Sequence, residues 1–597
     1  LLIGITSRKI KSNSCCIQIE PEMNSLVLAL LAFVGYIIAY RFYGKYLGKK
    51  FFSIGKKQKM PSHEFNDGVD FVPSKKNIIF GHHFTTIAGL GPIVGPAIGI
   101  IWGWLPAFLW VFFGSIFMGG MHDFSTMFIS GRNKGKTIGD LTGDLINPGT
   151  RYVFQFIMQL LLLIVLAVFA MIVGVLFVQY PEVVLPVWFQ IPVAVWLGWK
   201  IRQGKSDLLY SIIAVILLYI SVLAGVYWLP PITVPPIMGS SVTTWALILY
   251  VYAFLASTIP VQKLLQPRDY INSHQLLVAI ALILLGLFVA HPQVTAPAIN
   301  HDAFNSSDVP AMMPLLFITI ACGAISGFHS LASTGTTIKQ VDKEEDTLFI
   351  GYGGMLTESF LAVLVILAVA AGLGLGLTKD GQLFTGSDAF YHHYASWATA
   401  SGLAAKLEAF IVGSANLLES YGIPKDLGAA IIAVFIVSFA NTTLDSSARI
   451  QRLSFQEIFK DKTGKVRKPF NNRYAATTVV VVVAMVLTFL QPGATGALML
   501  WPLFGALNQL VAALALGVVV LYLIMKKRNF LLALIPMIFV LVMTVWAMID
   551  NLISFIDDRN YTLIIISLLI LILTVWLLIS GLKVLSSQKL KTRLNVG

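Results

Sequence analysis

Apolar runs of about twenty residues recur along nearly the whole chain, and each is long enough to cross roughly 30 Å of hydrocarbon as a helix. Fifteen stand near residues 26–40, 78–101, 105–129, 153–178, 183–199, 207–229, 241–260, 273–290, 312–332, 350–377, 427–447, 474–490, 497–524, 529–548 and 561–582. Residues 402–417 read as an amphipathic half-helix rather than a further span. Only 12% of the 597 residues are charged and 57% are apolar, whereas soluble domains carry about 25% charged residues. So few charges cannot cover several soluble domains. Disorder is excluded as well, because it needs low hydrophobicity. The expectation is an all-α polytopic membrane protein.

The net charge of +13 is an orientation signal. Most of the Lys and Arg residues fall on alternate loops, beginning with Arg41, Lys45, Lys49 and Lys50 after the first run. Basic loops stay on the cytoplasmic side, which places the N-terminus outside and the C-terminus in the cytoplasm. These charges then face anionic lipid, and no nucleic-acid partner is expected. Cys15, Cys16 and Cys322 offer neither a disulfide framework nor a Cys-x-x-Cys pair. Residues 1–22 precede Met23, carry no signal-peptide pattern, and are given no function.

Irregular backbone survives at membrane depth only where protein or a watery cavity satisfies its polar groups. Gly89, Gly91, Pro92, Gly95 and Pro96 interrupt the second run. Each proline removes a backbone donor and frees a carbonyl one turn earlier, so two half-helices are expected, with ends suited to an anion and a cation. Close glycine packing is the plainer alternative. Ser257, Thr258 and Pro260 interrupt the seventh run. Two interruptions five runs apart and antiparallel form the pattern of a five-plus-five inverted repeat. On that reading residues 23–77 hold the first helix and a basic loop, 78–229 the first repeat, 241–447 the second, and 448–597 a basic loop and four more helices.

The ninth run is the most polar. Ser326, Ser330 and Ser333 recur at helical spacing, so they share a face able to offer hydroxyls to Na⁺ or to bond back to helix carbonyls. The ionisable residues within runs are His82, His83, His122, Asp123, His329, Glu358 and Asp445. Charge at membrane depth is expensive and usually functional, so Asp123 and Glu358 are candidate proton carriers. Their structural alternative is an ion pair with a base at the membrane rim: Arg132 for Asp123, and Arg449, four residues along, for Asp445. Neighbouring histidines diverge on a helix, so His82 and His83 point to proton transfer or substrate hydrogen bonding rather than to a metal. Gly372, Gly374 and Gly376 follow no strand, so they are not a dinucleotide loop. No nucleophile–base–orienter arrangement points to an enzyme, and no cofactor is expected.

Several contiguous blocks carry a family resemblance: NDGVDFVPSKK at 66–76, FGHHFTTIAGLGPIVGP at 80–96, QPRDYIN at 266–272, CGAISGFHSLASTGTTIKQ at 322–340, YGGMLTESF at 352–360 and LWPLFGALNQ at 500–509. With these the chain resembles the carbon starvation protein A family of bacterial inner-membrane transporters. His122 departs from the glutamine expected before Asp123. The resemblance implies uptake of peptides or pyruvate under starvation and a five-plus-five repeat.

The resulting expectation is a secondary transporter. Substrate would sit at Gly89, Gly91, Pro92, Gly95, Ser257 and Thr258 with His82, His83 and His329, its carboxylate drawn to half-helix N–H groups. Coupling would run to H⁺ through Asp123 or Glu358, or to Na⁺ through Ser326, Ser330 and Ser333. The competing classes are a channel and a nutrient-sensing receptor; a channel would favour a charged or carbonyl-lined pore, and a sensor a signalling domain.

Overall fold

The computed structural model describes residues 23–55, 58–461 and 465–586, so residues 1–22 lie outside it. Among the described residues, eighteen of the longer helices frame the site: α1 (Ser25–Phe51), α2 (Lys76–Ile87), α3 (Gly91–Gly99), α4 (Trp104–Arg132), α5 (Pro148–Gln179), α6 (Pro181–Arg202), α7 (Asp207–Tyr227), α8 (Ser241–Thr258) and α9 (Leu265–Ala290) in the first half. Then come α10 (Met312–Thr319), α11 (Gly327–Gly335), α12 (Leu348–Leu375), α13 (Leu403–Glu419), α14 (Lys425–Ile458), α15 (Arg473–Phe489), α16 (Pro492–Met525), α17 (Leu531–Asp557) and α18 (Tyr561–Leu585). A short hairpin, β1 (Leu377–Lys379) with β2 (Gln382–Phe384), follows α12. Among the described residues, twelve helices are long and apolar enough to cross a membrane, or thirteen when the bent pair α2–α3 counts as one span. The protein is therefore a multi-pass membrane protein.

The difference from fifteen arises in two places. The run at 474–490 forms α15, a helix of 17 residues at the short end of the spanning range. The run at 312–332 is broken into α10 and α11. Two expected boundaries also move: α1 continues through Arg41 to Phe51, and α9 begins at Leu265, which brings Arg268 and Asp269 into a buried helix.

The expected interruption at Gly89–Pro96 is present. The chain bends by 46° between α2 and α3, and Pro92 stands in the first turn of α3, where a missing N–H costs nothing. The second expected interruption is corrected. Helix α8 runs unbroken to Thr258, and Ile259–Pro260 merely ends it, since the residue before a proline is pushed into the extended region. The second broken helix lies at residues 320–326, where Ile320 leaves helical geometry and Ser326 is extended (φ −135°, ψ 130°). No proline marks this break. Side chains hold its backbone instead, as irregular structure at membrane depth requires: Trp110 Nε1 donates to the Ile320 carbonyl at 3.2 Å and Asn508 Oδ1 accepts from the Phe328 N–H at 2.8 Å.

Helices α5 and α14 pack against each other deep in the bundle, where α12 and α16 are as fully buried, whereas α1 and α18 lie on its periphery. In lipid, close contact rather than water exclusion holds helices together. Gly103 makes the turn into α4 at φ +112°, and a Cβ there would stand 2.4 Å from the Ala298 carbonyl, so only glycine fits. One end of the bundle gathers the Lys- and Arg-bearing loops: Arg132 bonds Glu344, and Arg528 bonds the Phe51 carbonyl. We call this the basic face.

Candidate functional site

The two breaks meet. A Cβ on Gly91 would lie 2.2 Å from Cys322 Sγ, and one on Gly95 would lie 2.4 Å from the Thr319 carbonyl. Glycine is thus what allows the half-helices to touch. Gly95→Ala is expected to force two backbones apart and cost about 1–3 kcal/mol, read as a lower melting temperature in detergent; an unchanged melting temperature would show that this contact is loose.

Above the crossing, on the side away from the basic loops, lies a cavity of about 500 Å³. Gly91, Gly95, Thr319 and Cys322 line it beside Phe169, and Trp397 and Trp501 line it further out. Trp397 is held by its backbone N–H, which donates to Asp308 Oδ2 at 2.7 Å, and its ring packs 5.7 Å from that of Trp102.

Below the crossing, α11 carries His329 between two acids. Its Nδ1 bonds Asp123 Oδ2 at 2.8 Å, and its Nε2 stands 3.2 Å from Glu358 Oε2 without hydrogen-bond alignment. His122 Nδ1 reaches the other Asp123 oxygen at 2.8 Å. All four side chains are fully buried, and neither Glu358 oxygen has a hydrogen-bond partner among the described residues. Two carboxyl groups and one shared imidazole titrate as a unit, so a proton added to one is felt by the others. Asp123 therefore pairs with His122 and His329 rather than with Arg132, which is taken by Glu344.

A second buried chain begins at His82, whose Nδ1 lies 2.5 Å from Asp269 Oδ2. Asp269 contacts Arg268, which grips Asp445 with both terminal nitrogens, and Tyr252 donates to the same carboxylate at 2.9 Å. Asp445 thus pairs with Arg268 and not with Arg449. His83 diverges from His82, its Nδ1 3.0 Å from Thr337 Oγ1, and its Nε2 has no partner among the described residues.

On the basic face, Asp70 fastens the loop before α2 to α14. It accepts from Arg449 at 2.6 Å and from Arg452 at 2.8 and 3.0 Å. Burial pushes its carboxyl upward, but Arg452 and Arg449 outweigh this and hold it well below the usual carboxylate range. Arg449 also donates to the Ala256 carbonyl at 2.9 Å. The structure therefore places Ser257 and Thr258 beside this ion pair, with Thr258 bonded back to Phe254 O at 3.1 Å and Ser257 Oγ buried without a partner among the described residues; neither lines the cavity.

The three serines do not share one helical face, since Ser326 precedes α11 and lies within hydrogen-bond distance of Asn508. Ser330 bonds back to the Gly327 carbonyl at 2.7 Å, and Ser333 Oγ is buried without a partner among the described residues. Asn508 escaped the sequence reading although its signal, an amide within the apolar run 497–524, was there. Arg268 and Asp269 escaped it because they were placed outside the run at 273–290.

The sequence model of the family described as carbon starvation protein CstA matches residues 24–547. The peptide transporter CstA of Campylobacter jejuni is 30% identical over an alignment spanning 90% of this chain and 82% of its own. The pyruvate/proton symporter BtsT of Escherichia coli is also 30% identical, over 88% of this chain and 81% of its own. Among solved structures, MhsT in complex with L-phenylalanine aligns over 84% of this chain and 98% of its own at TM-score 0.47 and 12% identity.

Proposed function

Since the chain belongs to the carbon starvation protein CstA family, we propose that it is a secondary transporter importing peptides or pyruvate, by alternating access, across a bacterial inner membrane. The observation that carries this reading is the pair of broken helices touching at Gly91 and Cys322, with a cavity on one side and a buried acid–imidazole cluster on the other. Such a crossing offers a substrate place that can be exposed to either face in turn. The basic loops support an orientation with the cavity mouth outside, the N-terminus outside and the C-terminus in the cytoplasm. Asp70 with Arg449 and Arg452 then seals the inner face.

Proton coupling is the better-supported mode. His329 lies within reach of both Asp123 and Glu358, which gives a proton three interchangeable positions. The serines proposed for Na⁺ are dispersed, two of them already engaged with protein groups. The relative BtsT is named a pyruvate/proton symporter, which agrees. The two broken helices stand seven apolar runs apart, an odd number, so they run in opposite directions, as inverted repeats require.

Uptake of labelled pyruvate and of labelled dipeptides into proteoliposomes tests the reading. An inward proton gradient is expected to drive accumulation of one of them, and a Na⁺ gradient is not. Uptake indifferent to both gradients would overturn the symport claim.

A further inference from the structure

We infer that Lys406 and Asp550 make the outer cavity a charge-selective vestibule that reads the two ends of a zwitterionic short peptide. The inference rests on the transport reading above and adds to it the residues that select the substrate. Among the described residues lining the cavity, Lys406 and Asp550 are the charged ones. They project from different helices, α13 and α17, and Asp550 is exposed, at the rim of the cavity rather than within it. Neither makes a side-chain hydrogen bond or ion pair with any described residue, and they do not pair with each other. Two opposite, unmatched charges facing one apolar cavity are what a ligand bearing a carboxylate and an ammonium at its two ends complements.

The half-helix ends offer that carboxylate few free donors. Asn508 occupies the Phe328 N–H at the start of α11, and Pro92 in the first turn of α3 has no N–H to give. Lys406 is the cation of the lining and so the full positive charge that a carboxylate meets there. Lys406 is half-buried; burial pushes its ammonium down to about 8, so it is charged at neutral pH. A volume of about 500 Å³ falls in the range of small-molecule sites and exceeds what a three-carbon acid fills, while the Trp397 and Trp501 walls suit apolar peptide side chains.

The test is equilibrium binding to the purified full chain of dialanine, dialanine amide, N-acetyl-dialanine and pyruvate. For the native protein, dialanine is expected to bind at least about tenfold more tightly than either blocked form. Lys406→Gln is expected to weaken dialanine at least about tenfold and leave dialanine amide unchanged; Asp550→Asn is expected to weaken dialanine and leave N-acetyl-dialanine unchanged. Equal affinity of the native protein for all three peptides, or unchanged dialanine binding in Lys406→Gln, would overturn the vestibule, as would binding of pyruvate without binding of dialanine. These comparisons use no transport step. A chain that binds in the expected pattern yet moves nothing into proteoliposomes would overturn the transporter reading alone.

Discussion

Glu358→Gln is expected to abolish accumulation driven by a proton gradient while sparing counterflow exchange of substrate. A gradient of one pH unit stores about 1.4 kcal/mol per proton, enough for about tenfold accumulation in one-to-one coupling. The variant is expected to bring that ratio to about one, because glutamine keeps the size and can donate to His329 Nε2 but cannot take or release the proton. Counterflow needs only the loaded carrier to change face, so it reports folding and substrate binding separately from coupling. Accumulation unaltered in the variant would remove Glu358 as the coupling group; loss of both activities would assign it a structural part. Its position supports the former, since it is fully buried, 3.2 Å from His329 and otherwise without a partner among the described residues.

The second large effect is expected from Asp70→Asn. This substitution leaves Arg449 and Arg452, both almost wholly buried, without their counter-charge. Removing one partner of a buried ion pair costs about 3–5 kcal/mol, read as a lower melting temperature in detergent. Asp70→Asn combined with Arg449→Gln is expected to cost less than the sum of the two single changes, because they share one interaction. The pH dependence has a definite sign. The arginines hold Asp70 below the usual carboxylate range, so its contribution is fully present above the unfolded value of about 3.9 and disappears as pH falls through the lower folded value. The deficit of the variant is thus expected to be constant from neutral pH down to about pH 4 and to shrink only below it. A deficit that varies between neutrality and mild acidity would assign the stabilisation to another group.

What the sequence disclosed follows from the range of each signal. Helices were legible because a span is a local run of apolar residues, and the break at Gly89–Pro96 because glycine and proline act on their own backbone. The break at 320–326 was not legible, since nothing within Ala321–Ser326 forbids a helix. Trp110 and Asn508 hold it open from more than 180 positions away, and the proline at position 260 drew the expectation to a helix end instead. Membership of buried clusters followed the same division. His329, Asp123 and Glu358 stood out singly as ionisable residues in apolar runs, but their mutual contacts join three separate helices. The pairing of Asp445 was misassigned for the same reason. A partner four residues away is visible in sequence, whereas Arg268 lies 177 positions distant.

The buried pair α5 and α14 is pinned at its basic end by a polar cluster. Gln155 on α5 donates to Glu457 on α14 at 2.9 Å and is also bonded by Ser454, and Lys460, just past α14, reaches Asp140, in the short helix Ile138–Leu145 before α5, at 2.7 Å. A pair so buried and so fastened behaves as an axle. Its amide protons should be among the last in the molecule to exchange with deuterated water, and the rocking parts should leave their exchange signature on the helices around it.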